Sequence, residues 1–230
     1  MTSTEGVLMP NAAYPATAAH LPAGDGMVSD YFPLPGENPG GDWAAARTAA
    51  AFTVAVESGR LDLSLARLAE GHTDALAILA ELGAARPPAA SRWGVWAAQP
   101  PVPGLTARRA DDGSWRLDGL KRYCSGARCC IDALVTATAP DGSRLFAVST
   151  HDLSVVPGTW PATGMAGSDT LDVQFTAIAA EPAGGPGRYL DRPGFAHGGA
   201  GVAACWYGGA RGVGRTLLAA AARRDVARTP

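Results

Sequence analysis

Three consecutive residues in the middle of the chain have side chains that could hold a ligand. Tyr123 carries an aromatic ring, Cys124 a thiol and Ser125 a hydroxyl group. They come at the end of a predicted strand, Arg122–Cys124. An aromatic ring can pack on the face of a flat heteroaromatic ligand while a hydroxyl hydrogen-bonds its edge. The alternative interpretation is an ordinary strand end with an amphipathic tyrosine.

The residues before this site predict a β-hairpin. Apolar and polar residues alternate over Ser114–Leu117, as in a strand with one buried face. The Asp118-Gly119 pair tolerates the positive φ angles of a two-residue turn. We therefore expect Ser114–Leu117 and Arg122–Cys124 to be neighbouring strands joined by a tight turn.

Two motifs, in this order, resemble the middle β-domain of the acyl-CoA dehydrogenase superfamily. The first is W-x-L-x-G-x-K-x-Y-x-S-G over residues 115–126, and the second is TGMAGSDTLDVQF over residues 163–175. The second resembles the family's G-x-R-x-S-x-T turn and strand. The resemblance implies that Tyr123, Cys124 and Ser125 bind FAD. The tyrosine would lie against the isoalloxazine ring, and the serine hydroxyl would hydrogen-bond the ring edge.

A third stretch, WGVWAAQPPVPG over residues 93–104, occupies the place of the family's strand and loop that bind flavin and acyl-CoA. The resemblance makes Trp96 and Ala98 flavin-binding residues, with the contact made by backbone amides. Gln99 becomes a substrate-binding residue, at a position where an acidic residue is usual. Ser168, in the second motif, is a further candidate for substrate binding, and its alternative role is to cap a turn.

The resemblance implies an enzyme, a flavoprotein oxidoreductase that introduces an α,β-double bond into an acyl thioester such as acyl-CoA. Two other functions are compatible with the same features: a flavin-dependent monooxygenase, and a non-catalytic partner or scaffold subunit. The catalytic residues stay unassigned, because the family's glutamate base lies on helices that would follow Arg224. A triad or a Cys/His pair is unsupported, since three candidates lack partners at catalytic spacing: His151, His197 and Cys205.

The hydrophobic periodicity changes from helical to two-residue and back to helical along the chain. It predicts an α+β fold with N-terminal helices, a central antiparallel β-barrel and the start of a C-terminal helical bundle. The predicted segments are an irregular arm (1–41), a helical domain (42–90), a flavin-binding β-domain (91–182) and the first helix of a C-terminal domain (183–230). Alternating residues of the last strand should face the barrel core: Leu171, Val173 and Phe175.

Two N-terminal helices are predicted. Asp42 caps the first, Trp43–Glu57, and Gly59 ends it, while Gly83 ends the second. The second helix carries an apolar stripe made of Leu61, Leu65, Leu68, His72, Leu76, Leu79 and Leu82. On this stripe His72 is interpreted as a hydrogen-bonded core residue in preference to a catalytic one.

The final predicted helix, Gly198–Arg224, is rich in small residues that require a close partner. We expect it to pack against another chain, in a homo-oligomer or with a partner subunit. The resemblance covers residues 42–224 and leaves the rest of the family's C-terminal bundle unmatched. The 230-residue chain alone is therefore expected to be inactive as an acyl-CoA dehydrogenase.

Composition and charge argue against several classes of partner. The net charge is −2, and Lys121 is the single lysine among 19 basic residues. There is no basic patch for nucleic acid and no apolar run long enough for a membrane span. The N-terminus lacks a signal-peptide pattern, so a cytoplasmic protein is expected. Four cysteines, two of them adjacent, predict reduced thiols and no metal site.

Overall fold

The computed structural model describes residues 42–84, 87–88, 90–99 and 104–226. Two helices precede a seven-stranded sheet, and a short helix and a long final helix follow it. The α+β fold with a central barrel is therefore confirmed. The predicted N-terminal arm lies outside the described residues. In the described part, no helix is long and apolar enough to cross a membrane.

The elements have the following bounds. The helices are α1 (Asp42–Leu61), α2 (Leu63–Glu81), α3 (Arg188–Asp191) and α4 (Phe195–Val226). The strands are β1 (Trp93–Trp96), β2 (Thr106–Arg109), β3 (Trp115–Cys124), β4 (Asp132–Ala139), β5 (Gly142–Ser149), β6 (Ser154–Val156) and β7 (Leu171–Pro182). A turn of 3₁₀ helix, Ala166–Ser168, precedes β7.

Five strands close the barrel in the order β4-β2-β3-β7-β5, and β5 pairs with β4 to complete the ring. β1 runs parallel to β4, and β6 pairs with β7. Closure pairs the strand edges that an open sheet would expose. As predicted, the alternating residues of β7 lie in the barrel core: Leu171, Val173 and Phe175. β4 is buried on both faces, because Val135 points into the barrel while Leu134 packs against α2.

The predicted hairpin at Asp118-Gly119 is wrong. β3 continues through this pair, and both of its halves bond to β7. Gly119 has φ 122° and lies at a break in the register with β7. A Cβ atom there would lie 2.6 Å from the carbonyl oxygen of Gly104. The glycine therefore serves a bulge and a close backbone approach inside one strand.

α2 has the predicted C-terminal end but a different buried face. Asp62 caps its start by accepting hydrogen bonds from two backbone N–H groups, and Gly83 follows its end with φ 74°. The buried residues are mostly small: Ser64, Ala66, Leu68, Gly71, Ala75, Ile78 and Leu79. Leu61 is 74% exposed because it ends α1 and does not begin the stripe on α2.

Glycines bring the backbones of α1 and α4 into contact. A Cβ atom at Gly208 would overlap the carbonyl oxygen of Val56, and one at Gly59 would overlap that of Cys205. Gly59 therefore lies inside α1, and the prediction that it ends the helix is wrong. The prediction that the small residues of α4 face another chain is also wrong for this face, because α1 of the same chain fills it.

Candidate functional site

The backbone is strained at Tyr123, near the end of β3. Its φ of 61° lies in the left-handed region, which a residue with a Cβ atom rarely adopts. Its N–H donates to Asp172 Oδ1 over 3.3 Å, and the residue is 51% exposed. A strained, exposed aromatic residue gains little stability from its own burial. Such strain is typical of functional positions.

The strain at Tyr123 predicts an unusual order of stability among its variants. Tyr123→Gly should be more stable than Tyr123→Ala by about 1 kcal/mol, because glycine adopts a positive φ without a Cβ clash. Thr176, an exposed residue of β7, is the matched control, and there the alanine variant should be the more stable one. Urea unfolding followed by circular dichroism measures both pairs. If Tyr123→Ala is at least as stable as Tyr123→Gly, the backbone at Tyr123 is not strained.

Trp96 joins the end of β1 to the end of β3. Its ring Nε1–H donates to the carbonyl oxygen of Ser125 over 2.9 Å. Gly94 makes room for this ring, because a Cβ there would lie 2.6 Å from Nε1. The side chain of Trp96 is 1% exposed and lies in the barrel core. The structure thus brings two of the predicted site segments together, and Trp96 acts on the site through the backbone at Ser125.

The residues after Trp96 are held by a buried lysine. Lys121 Nζ donates to the carbonyl oxygen and the hydroxyl of Thr136, at 2.6 and 2.8 Å. The Thr136 hydroxyl in turn donates to the carbonyl oxygen of Ala97 over 3.2 Å. Burial of Lys121 lowers its pKa to about 8. Ala98 and Gln99 follow at the surface, and Gln99 Nε2 donates to Ser143 Oγ over 3.0 Å.

Cys124 lies inside the barrel with no exposed surface. Its thiol donates to the carbonyl oxygen of Lys121 over 3.3 Å, and burial raises its pKa well above the usual range. The thiol is therefore a protonated core group. Any contribution of Cys124 to ligand binding would come from its backbone.

Gly126 packs the end of β3 against α2. It has φ 71°, and a Cβ there would lie 2.8 Å from Cys130 Sγ and 3.0 Å from Leu68 Cδ2. The next residue, Ala127, donates its N–H to the carbonyl oxygen of Asp169 over 3.2 Å. The end of β3 is thus fixed both to α2 and to the turn that precedes β7.

The predicted substrate residue Ser168 is fully buried in that turn. Its hydroxyl donates to the carbonyl oxygen of Met165 over 2.9 Å. This hydrogen bond caps the turn, which is the alternative role that the sequence indicated for Ser168. Ser168 Oγ also lies 2.8 Å from Thr170 Oγ1, which lies 3.0 Å from Ser125 Oγ. Ser125 and Ser168, predicted from separate motifs, are therefore linked through Thr170.

Two acidic residues of α2 contact a buried arginine that lies just before α4. Arg192, whose side chain is 2% exposed, pairs with Asp74 and Glu81, each over 3.2 Å. Glu70 pairs with Arg67, and burial raises the Glu70 pKa to about 7. The two Arg192 pairs, with a hydrogen bond from the Gly194 N–H to Glu81 Oε2 over 3.3 Å, join α2 to the segment just before α4.

His72, further along α2, is confirmed as a hydrogen-bonded residue. Its Nδ1 accepts from the Trp93 N–H over 3.2 Å, and burial lowers its pKa. It therefore joins α2 to the start of β1.

An open groove of about 680 Å³ runs beside the turn before β7. Its walls are the junction of α1 and α2, the loop from Thr163 to Gly167, and one side of α4. Leu61 and Leu217 supply apolar surface, and Arg60 and Thr216 supply polar groups. The groove is large enough for a small organic molecule.

Sequence reasoning missed two groups that shape the site. Asp172 holds the strained backbone of Tyr123, and its sequence signal is a charged residue in an alternating strand. Lys121 holds the connection after β1, and its signal is that it is the single lysine in the chain. The contact between Asp172 and Tyr123 cannot be identified from their spacing, because 49 residues separate them.

No family model and no curated protein matches the chain. Solved structures do match it. FMN-bound TdsC from Paenibacillus sp. A11-2 is 24% identical, over 72% of this chain and 49% of TdsC, with a TM-score of 0.59. KijD3 in complex with dTDP is 18% identical, over 94% and 59% of the two chains, with a TM-score of 0.62. A steroid ACAD variant, Tcur3481-Tcur3483 G363A, is 24% identical, over 73% and 48%, with a TM-score of 0.56.

The chain spans about half the length of TdsC and of the steroid ACAD. TdsC is a dibenzothiophene monooxygenase with FMN-bound and indole-bound structures, and KijD3 has a structure with FMN and a dTDP-linked amino sugar. KijD3 matches 94% of this chain, so the shared fold includes most of the described helices and strands. The described part of this chain has the acyl-CoA dehydrogenase fold.

Proposed function

We propose that this protein is a flavin-dependent oxidoreductase whose flavin binds at the end of β3. The observation that carries the proposal is the strained Tyr123 with its half-exposed ring, two residues before the hydroxyl of Ser125. These groups fit a flavin, because they supply an aromatic face and a hydrogen-bonding group for the ring edge. Trp96 and Cys124 would contribute by fixing the backbone of the site, and Ala98 by its exposed backbone.

We favour monooxygenation as the reaction. TdsC, which shares the fold, is named a monooxygenase. Gln99 stands where the acyl-CoA-binding sequence of the family has an acidic residue. Its side-chain amide donates a hydrogen bond to Ser143, so this amide group already has a partner within the protein. A bound reduced flavin would give two electrons to O₂, so that one oxygen atom enters the substrate and the other leaves as water. The open groove beside the turn before β7 would receive a small organic substrate.

Dehydrogenation of an acyl thioester is the second candidate reaction, and the two sequence motifs support it. A non-catalytic partner subunit is the third interpretation. We also propose that the protein forms a homo-oligomer. The supporting observation is that α4 exposes large apolar side chains: Trp206, Tyr207, Val213, Leu217 and Leu218.

Flavin binding is the first test of the proposal. The protein should bind FMN, which TdsC and KijD3 bind, or FAD, which the sequence resemblance implies. Tyr123→Ala combined with Ser125→Ala should weaken binding about tenfold or more, since aromatic contact and a hydrogen bond each contribute about 1 kcal/mol. Titration followed by flavin absorbance and fluorescence measures this. Thr176→Ala, at an exposed position of β7, is the control. Failure of the wild type to bind either flavin would contradict the proposal.

The reaction type is tested with the flavin-loaded protein. Anaerobic addition of acyl-CoA thioesters should leave the absorbance of the oxidised flavin unchanged if the protein is a monooxygenase. Chemically reduced flavin, O₂ and indole as a probe should then give an oxygenated product by mass spectrometry. Bleaching of the flavin by an acyl-CoA would favour dehydrogenation instead.

A further inference from the structure

Three hydroxyl groups form a continuous chain from the turn before β7 to Ser125. Ser168 Oγ donates to the carbonyl oxygen of Met165 over 2.9 Å. The Ser168 and Thr170 hydroxyl oxygens are 2.8 Å apart, and those of Thr170 and Ser125 are 3.0 Å apart. Ser168 is fully buried and Thr170 is 7% exposed, whereas Ser125 is only half-buried. The chain therefore has a shielded inner end and an accessible outer end.

Once the hydrogen of Ser168 is placed, the direction of the other two bonds in this chain follows. Each hydroxyl has one hydrogen to donate. Ser168 gives its hydrogen to Met165, so Thr170 must donate to Ser168, and Ser125 must donate to Thr170. In this arrangement Ser125 has no hydrogen left for a ligand. Its oxygen can only accept a hydrogen bond from one.

The opposite arrangement needs no movement of any heavy atom. If Ser168 turns its hydrogen to Thr170, and Thr170 turns its hydrogen to Ser125, then Ser125 is free to donate outward. The carbonyl oxygen of Met165 keeps two other donors, Trp160 Nε1 at 2.9 Å and the Ser168 N–H at 3.0 Å. Because a carbonyl oxygen has two lone pairs, the loss of the third donor costs little.

We propose that Ser168 and Thr170 are positioning residues for Ser125. They allow the Ser125 hydroxyl to switch between accepting a hydrogen bond from the flavin ring and donating one to it. This inference rests on the proposed flavin site at the end of β3. An oxidised flavin accepts a hydrogen bond at N5, whereas a reduced flavin carries a hydrogen there. The resting direction of the chain makes Ser125 an acceptor and therefore favours the reduced form.

The proposal predicts that two substitutions weaken the preference for reduced flavin, each for a different reason. In Ser168→Ala, Thr170 keeps Ser125 as its hydroxyl partner, so Thr170 donates outward and Ser125 becomes a donor that favours oxidised flavin. In Thr170→Val the Ser125 hydroxyl rotates freely and favours neither form. The preference for reduced flavin should therefore fall in the order wild type, Thr170→Val, Ser168→Ala. We expect about a tenfold change between the first and the last, which equals about 30 mV for a two-electron couple.

The experiment measures the ratio of the dissociation constants of oxidised and reduced FMN, together with the two-electron reduction potential of the bound flavin. Thr170→Ser restores a hydroxyl and should return both values to those of the wild type. Thr176→Val, at an exposed position of β7, is the matched control and should change neither. Circular dichroism establishes that each variant is folded. A purely structural role of Ser168 would lower stability without shifting the potential.

Three results would overturn the inference, and each can be told apart from the others. If the wild type and the folded variants bind flavin with the same ratio of affinities and the same potential, the hydroxyl chain has no role and the proposed flavin site stands. If the wild type binds neither oxidised nor reduced flavin, the proposed function and this inference fail together. A potential that rises in Ser168→Ala would also contradict the inference, because the expected sign is the opposite.

Discussion

Gly208→Ala should destabilise the protein by about 3 kcal/mol, at the upper end of the cost of overpacking. The added Cβ would overlap the carbonyl oxygen of Val56 and lie 3.0 Å from the backbone nitrogen of Arg60. Backbone atoms of a helix cannot turn aside as a side chain does, so α4 would have to move away from α1. Urea unfolding followed by circular dichroism measures the loss.

Gly214→Ala is the matched control on the same helix. A Cβ at Gly214 would meet no atom within 4 Å, and alanine is the better helix former. This variant should gain up to about 1 kcal/mol. Equal effects of the two substitutions would show that the close contact of α1 and α4 does not contribute to stability.

Glu70 should make the protein less stable as the pH rises from 4.5 to 7, because its carboxyl group is buried. Burial raises the Glu70 pKa from 4.5 to about 7, and the pairing with Arg67 only partly opposes this shift. Within this range the folded state holds a proton that the unfolded state has lost. The free energy of unfolding therefore decreases with pH, by about 3 kcal/mol for this one carboxyl group.

Glu70→Gln should remove this pH dependence. The variant should be more stable than the wild type by about 3 kcal/mol above pH 7, and the two should converge below pH 4.5. Urea unfolding of both proteins between pH 4 and 8 gives the difference in their free energies of unfolding at each pH. His72 and Asp74 are present in both proteins, so their own titration is shared by the two curves. Glu181→Gln is the control, because it removes one negative charge at an exposed position and leaves the buried carboxyl group of Glu70 in place. A difference that stays constant across this range would contradict the assignment.

The sequence alone determined the features that depend on residues close together in the chain. The alternation of Leu171, Val173 and Phe175 predicted which face of β7 enters the barrel core, and that face is buried. Gly83 predicted the end of α2, because a left-handed residue after a helix is a local signal. The motif resemblance likewise predicted the fold that the solved structures share.

The sequence proposed residues for the candidate site, but it could not predict how they are arranged. Sequence motifs marked Trp96, Ser125 and Ser168 separately. The structure joins them, since Trp96 donates to the Ser125 backbone and Thr170 lies between the two serine hydroxyls. It also places Trp96 and Ser168 in buried positions, where their side chains act on neighbouring groups.

Only the tertiary structure decided what the glycines and the buried charge do. Gly119 fits a hairpin turn by its local sequence, yet β3 stays continuous because both of its halves pair with β7, more than fifty residues later. Gly59 fits a helix end, yet it faces the backbone of Cys205. The raised pKa of Glu70 follows from the packing of α4 over α2. Each outcome depends on which distant segment lies alongside, and the local sequence does not contain that information.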